Sequence, residues 1–105
     1  MKIVAINLIS SNCEKSALEY SKLLGFRVIM VAKNHSEIGE DDGIRIYFSP
    51  NSINCKVDPG SFTISGRPSS AFLASSFFQL EQSFPEKNYQ SFLDIDGNRI
   101  WFYWN

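Results

Sequence analysis

Apolar and polar positions alternate along several short stretches of this chain, and one longer stretch carries a helical period. Residues 3–9 alternate weakly and are rich in β-branched side chains, which predicts a strand. Ser10-Ser11-Asn12 follows as a turn able to cap a helix, because a side-chain oxygen of Asn12 or Ser11 can accept from the free amides of a first turn. From residue 13 to 24, Ala17, Tyr20, Leu23 and Leu24 recur at helical spacing and form one apolar face. Gly25 then stops the helix, since glycine takes the left-handed conformation without strain. Residues 26–32 and 44–48 predict two further strands. Between them, residues 34–43 are polar and acidic and predict a long turn or a poorly formed third strand.

Residues 50–60 hold two prolines among mixed polar residues and predict a linker between two halves. Residues 61–65 predict a strand. Gly66-Arg67-Pro68-Ser69-Ser70 opens a helix whose apolar content comes from Ala71, Phe72, Leu73, Phe77 and Phe78. Residues 78–84 read as either a strand or the end of that helix. Pro85-Glu86-Lys87-Asn88 is a turn. Residues 92–103 form a hairpin about a tight Asp-Gly-Asn turn, in which Asp94 and Asp96 stabilise the turn. The second half thus repeats the first in outline, strand, helix, then strands, with negligible identity between the halves.

The 105 residues suffice for one domain, residues 1–105, with a single real core. Nine of the aromatics are Phe, and the aromatic total exceeds what a small core needs, so some are expected at a pocket or an interface. A net charge of −1 without a basic stripe gives nucleic-acid binding no electrostatic support. No apolar run approaches the roughly 20 residues needed to span a bilayer. The first residues are too short an apolar stretch for a secretory segment. With Cys13 and Cys55 as two reduced thiols, the expected location is cytoplasmic. The acidic run Glu37, Glu40, Asp41, Asp42 reads as a solvated loop, and the single histidine, His35, as exposed and uninvolved.

Two segments carry a resemblance. Asn12-Cys13-Glu14-Lys15-Ser16 through Tyr20, Leu23-Leu24-Gly25-Phe26 is similar to the first helix signature of the vicinal oxygen chelate superfamily, which includes glyoxalases, ring-cleaving dioxygenases and bleomycin-resistance proteins. Asp94-Ile95-Asp96-Gly97-Asn98-Arg99-Ile100-Trp101 resembles that superfamily's closing hairpin. The resemblance implies an α+β fold of two paired βαβββ modules, module one at about 1–50 and module two at about 61–105. Their sheets form a cup, with the helices on the outer face. Metal-dependent members bind a divalent ion through four inward side chains. The matching positions here are Ala5, Arg45 or Tyr47, Ser61 and Trp101, none a good ligand for a transition metal. The resemblance therefore implies no metal and no cofactor.

If the helices cover one face of each sheet, alternation sends the other face into the cup. Val4, Ile6, Leu8, Ile44, Ile46, Phe48, Phe62, Ile64, Ile100, Phe102 and Trp104 would pack beneath the helices. Asn7, Arg45, Tyr47, Thr63, Arg99, Trp101 and Tyr103 would face the cup and bind a ligand. Aromatic walls with two guanidinium groups suit a flat anionic compound. The expected function is metal-independent small-molecule binding of the bleomycin-resistance type, by a homodimer. The alternatives are a homodimeric interaction module with a filled cup, or a metal-free enzyme. No catalytic residue is assigned.

Overall fold

Among the described residues, eight strands and two α-helices follow one another in the order β1 (Ala5–Ile9), α1 (Cys13–Leu24), β2 (Arg27–Val31), β3 (Ser36–Gly39), β4 (Arg45–Ser49), β5 (Ser61–Ser65), α2 (Ser70–Ala74), β6 (Phe78–Phe84), β7 (Tyr89–Asp94) and β8 (Arg99–Tyr103). They are seen in a computed structural model that describes residues 1–40 and 42–105. Asp41, one of the acidic run, lies outside the described residues. The strands make two four-stranded mixed sheets with the same order, β1-β4-β3-β2 and β5-β8-β7-β6. In each, the first strand pairs parallel with the last and the remaining pairs are antiparallel. The fold is α+β, built from two βαβββ units.

Local chemistry explains the elements. Asn12 caps α1 by accepting from the Lys15 amide at 3.1 Å, and Gly25 ends the helix at φ 80°. Cys13, Ala17, Tyr20 and Leu23 form its buried face. The polar stretch after β2 contains a strand, the second of the two alternatives its sequence allowed. In β3 only Ile38 is a large apolar residue, yet Ser36 is also fully buried, its hydroxyl bonded to Ala32. A small hydroxyl can replace an apolar side chain where a backbone partner lies within reach. Helix α2 is shorter than its apolar content suggests. Ser75 donates back to the Phe72 carbonyl, and Phe78 already belongs to β6. Residues 85–87 make one 3-10 turn, ended by Asn88 in the left-handed region at φ 60°.

The two units share one core. Tyr20 on α1 is fully buried between Phe48 of the first sheet and Phe77 and Phe78 from the second half, with ring centroids 4.8, 5.9 and 5.0 Å away. Phe72 of α2 stacks on Phe78 at 4.3 Å and meets Phe92 and Phe102 edge-on. Burying each such side chain contributes about 1.5–3 kcal/mol. Of the residues expected to pack, Val4 and Ile44 do not. They are 58% and 50% exposed, each one residue before its strand begins.

The units also meet at a seam. Gly60, just before β5, lies so close to β1 that an added Cβ would stand 2.8 Å from the Asn7 carbonyl oxygen. Asn98, in the last turn, is fully buried and bridges the halves. Its Nδ2 donates to the Ile9 carbonyl and to Asp94, and its Oδ1 accepts from the Ile9 and Gly60 amides. The molecule measures 43 × 30 × 22 Å.

Candidate functional site

Strand alternation separates the functional side chains from the core. On β4, Ile46 and Phe48 are buried while Arg45 and Tyr47 are half-buried on the opposite face, where Asn7 of β1 pairs in register with Tyr47. Across from Tyr47 on β3 stands Glu37. Its carboxylate accepts from Arg45 Nη1 at 2.9 Å and from His35 Nε2 at 2.9 Å. An ionised carboxylate only accepts, so the imidazole Nε2 carries the donated proton. Partial burial works against ionisation of Glu37, but the hydrogen bonds from His35 and Arg45 outweigh it and hold the carboxyl below its usual range. The His35 ring stands edge-on to Tyr47, centroids 5.1 Å apart. His35, in the loop just before β3, therefore contacts this face and is not simply exposed. Glu37 is a strand residue, not part of a solvated loop. The sequence left this stretch open between a long turn and a poorly formed strand, so neither residue could be given a face.

The second face is more aromatic. Thr63 of β5 pairs with Trp101 of β8, and Ser65 with Tyr103. Strand β7 adds Tyr89 opposite Tyr103 and Ser91 opposite Trp101. The Tyr89 and Trp101 rings meet at 5.7 Å. Thr63, Tyr89, Trp101 and Tyr103 line a shallow depression of about 380 Å³. Tyr103 is 49% exposed and Trp101 half-buried, so this face is open.

Arg99 sits beside the depression and is already engaged. Its Nε and Nη2 donate to the two carboxylate oxygens of Glu81 at 2.6 and 2.7 Å, and Ser91 Oγ donates to the same carboxylate. The Arg99 fork holds the Glu81 carboxyl below its usual range, and the carboxylate in turn raises the guanidinium. Glu81 lies at a register shift between Leu80 and Gln82 in the β6–β7 pairing. Such a bulge adds one residue to a strand and re-aims its side chain.

The seven residues expected at the site thus fall into two sets. Asn7, Arg45 and Tyr47 lie on the first sheet; Thr63, Arg99, Trp101 and Tyr103 lie on the second. Arg45 and Tyr47 line a separate hollow of about 420 Å³ with Lys2, Ile3 and Ile44. Four members of the two faces, His35, Glu37, Glu81 and Tyr89, were not singled out as site residues from sequence. Tyr89 could have been found, because extending the last hairpin back by three residues places it opposite Tyr103.

Solved structures share this fold over nearly the whole chain. A member of the glyoxalase/bleomycin resistance protein/dioxygenase superfamily from Sphaerobacter thermophilus superposes with a TM-score of 0.71 at 15% identity, covering 100% of this chain and 98% of the other. An antibiotic binding protein from Streptomyces sp. CB03234 gives 0.69 at 14% identity, covering 99% and 95%. A lactoylglutathione lyase from Agrobacterium tumefaciens gives 0.69 at 11% identity, covering 99% and 93%. This chain has the vicinal oxygen chelate fold. No protein-family model matches the sequence, and no curated protein matches it. The likeness is one of backbone, carried by a chain with different side chains.

The positions that the sequence resemblance matches to the superfamily's metal ligands are Ala5, Arg45 or Tyr47, Ser61 and Trp101. They offer a methyl, a guanidinium or phenol, a hydroxyl and an indole. That donor set does not fit a divalent transition metal, which takes imidazole, carboxylate or thiolate ligands. Among the described residues, no three His, Cys, Asp or Glu side chains converge to hold an ion. Both cysteines are free, Cys13 buried and Cys55 exposed. No helix among the described residues is long and apolar enough to cross a membrane.

Proposed function

We propose that this chain binds a small, flat aromatic molecule without a metal, against the face made by Trp101, Tyr103, Tyr89 and Thr63. The observation that carries the reading is the open depression of about 380 Å³ walled by three aromatic rings. That volume lies within the usual range for small-molecule sites, and offset stacking on an indole or phenol supplies both contact area and orientation. The antibiotic binding protein of the same fold supports binding as the role.

The charge of the ligand follows from the two arginines. Both are ion-paired, Arg45 with Glu37 and Arg99 with Glu81. An anionic group on the ligand has to compete with a glutamate for either guanidinium. The aromatic body, more than the charge, therefore sets recognition, and an anion on the ligand gains an arginine only when a glutamate moves away. Asn7, Arg45 and Tyr47 join the site when a second copy brings its first sheet over the second sheet of its partner. The homodimer is thus part of the proposal. The protein acts in the cytoplasm, sequestering or sensing its ligand.

The lyase of the same fold makes an enzyme the second reading, and one observation favours it. The His35 imidazole is oriented by Glu37 in the manner of a general base.

Tryptophan fluorescence of metal-stripped protein tests the first reading against aromatic acids and cationic antibiotics, with zinc, nickel and manganese in a separate arm. Saturable quenching without metal, lost in Trp101→Ala while circular dichroism stays unchanged, is the expected result. Quenching only with metal, or an unchanged affinity in Trp101→Ala, overturns it.

A further inference from the structure

We propose a second binding site, on the helical side of the molecule, for a small amphiphile with one carboxylate and an unbranched apolar tail. A groove of about 410 Å³ runs between α1 and the segment from α2 into β6. Leu23 and Phe77, both buried, and the half-exposed Ile95 give it its apolar surface, while Ser75 and Ser76 add hydroxyls to the lining. Ala71 and Ala74 line the α2 side, and their small side chains leave the groove open.

The rim is charged in one pattern. Lys15, Glu19 and Lys22 recur at i, i+4 and i+7 along α1, so all three stand on one edge of the groove. Among the described residues neither ammonium is in an ion pair, and Glu19 pairs with neither lysine. The rim therefore keeps two uncommitted cations against one carboxylate. That balance is opposite in sign to the whole chain, whose net charge is −1. A ligand carboxylate between Lys15 and Lys22 makes charge-assisted hydrogen bonds, and its tail covers Leu23, Phe77 and Ile95. The lysine stems flank the tail while their heads hold the anion. A cationic head of the same length meets repulsion at both ends of the rim.

The test is calorimetric titration of the whole protein with decanoate and, separately, with decylammonium. The expected result is one decanoate bound per chain and no saturable binding of decylammonium. The double variant Lys15→Gln/Lys22→Gln weakens decanoate by roughly tenfold or more. Ala74→Phe, which fills the groove from an exposed position, removes binding. Trp101→Ala leaves decanoate binding unchanged, which separates this groove from the sheet-face site. Equal binding of decylammonium, an unaltered affinity in the double lysine variant, or no saturable binding of decanoate overturns the proposal.

Discussion

Tyr20 Oη donates a 2.6 Å hydrogen bond to Asp94 Oδ2, joining the first helix to a strand 74 residues later. Asp94 is saturated by this and three further bonds, from the amides of Asp96 and Asn98 and from the Asn98 side chain. One buried carboxylate thus closes the last turn and fastens it to the other half of the molecule. Tyr20→Phe removes the donor and keeps the ring. A lost buried hydrogen bond to a charged group costs roughly 1.5–3 kcal/mol. Denaturant unfolding should show a loss in that range with an unchanged far-ultraviolet spectrum.

The same pair sets an alkaline limit. Burial, and then the charge of Asp94, push the Tyr20 phenol well above its ordinary value of 10.0. A group whose pKa is raised on folding contributes stability that is complete below its unfolded pKa and lost as pH rises through the folded one. Stability should therefore fall from about pH 10 upward in the wild type. The Tyr20→Phe protein should show a shallower alkaline decline, measured by thermal melts across that window.

On the acid side Glu37 behaves in the opposite sense. Its folded pKa lies below the usual 4.5, so its contribution is present above that value and lost as pH falls through the folded pKa. His35→Ala and Arg45→Ala should each move the Glu37 carboxyl back up. Carboxyl carbon shifts followed by NMR against pH measure this directly, and an unmoved Glu37 in both variants contradicts the assigned cluster.

Gly60→Ala tests the seam. The new methyl would stand 2.8 Å from a backbone oxygen and 2.9 Å from Leu8 Cδ2, so the β1 and β5 edges must part. Overpacking of this kind costs about 1–3 kcal/mol. A melting temperature equal to that of the wild type would show that the seam yields freely.

Glu81→Gln tests the charge argument. It weakens the clamp on Arg99 and leaves the aromatic wall intact. Aromatic acids should then bind several-fold more tightly, while uncharged aromatics keep their affinity. If aromatic acids gain nothing, Arg99 does not reach the ligand.

Much of the fold could be read in the sequence because its signals are local. Asn12 and Gly25 bound α1, and the Asp-Gly-Asn turn marks the last hairpin. Strand β3 was legible only as an alternative to a long turn, because its buried positions include Ser36, whose burial depends on a bond to Ala32 that no periodicity reveals. The faces of β4 and β8 were legible from alternation alone, which separated Arg45 and Tyr47 from Ile46, and Trp101 from Ile100. The glutamates that occupy the two arginines were not legible. Glu81 reaches Arg99 at a strand bulge, and Glu37 reaches Arg45 across strands whose register depends on β3. Val4 and Ile44 were misjudged because alternation gives the face of a strand but not where the strand begins, and both precede theirs.

Binding of a ligand on the Trp101 face has a direct spectroscopic readout. The chain has two tryptophans, Trp101 on that face and Trp104 under the Arg67 guanidinium, so its indole N–H signals report the two places separately. Titrating nitrogen-15-labelled protein with the aromatic acids and antibiotics should shift the Trp101 indole signal saturably and leave Trp104 in place. Saturable binding that leaves Trp101 unmoved would contradict the account.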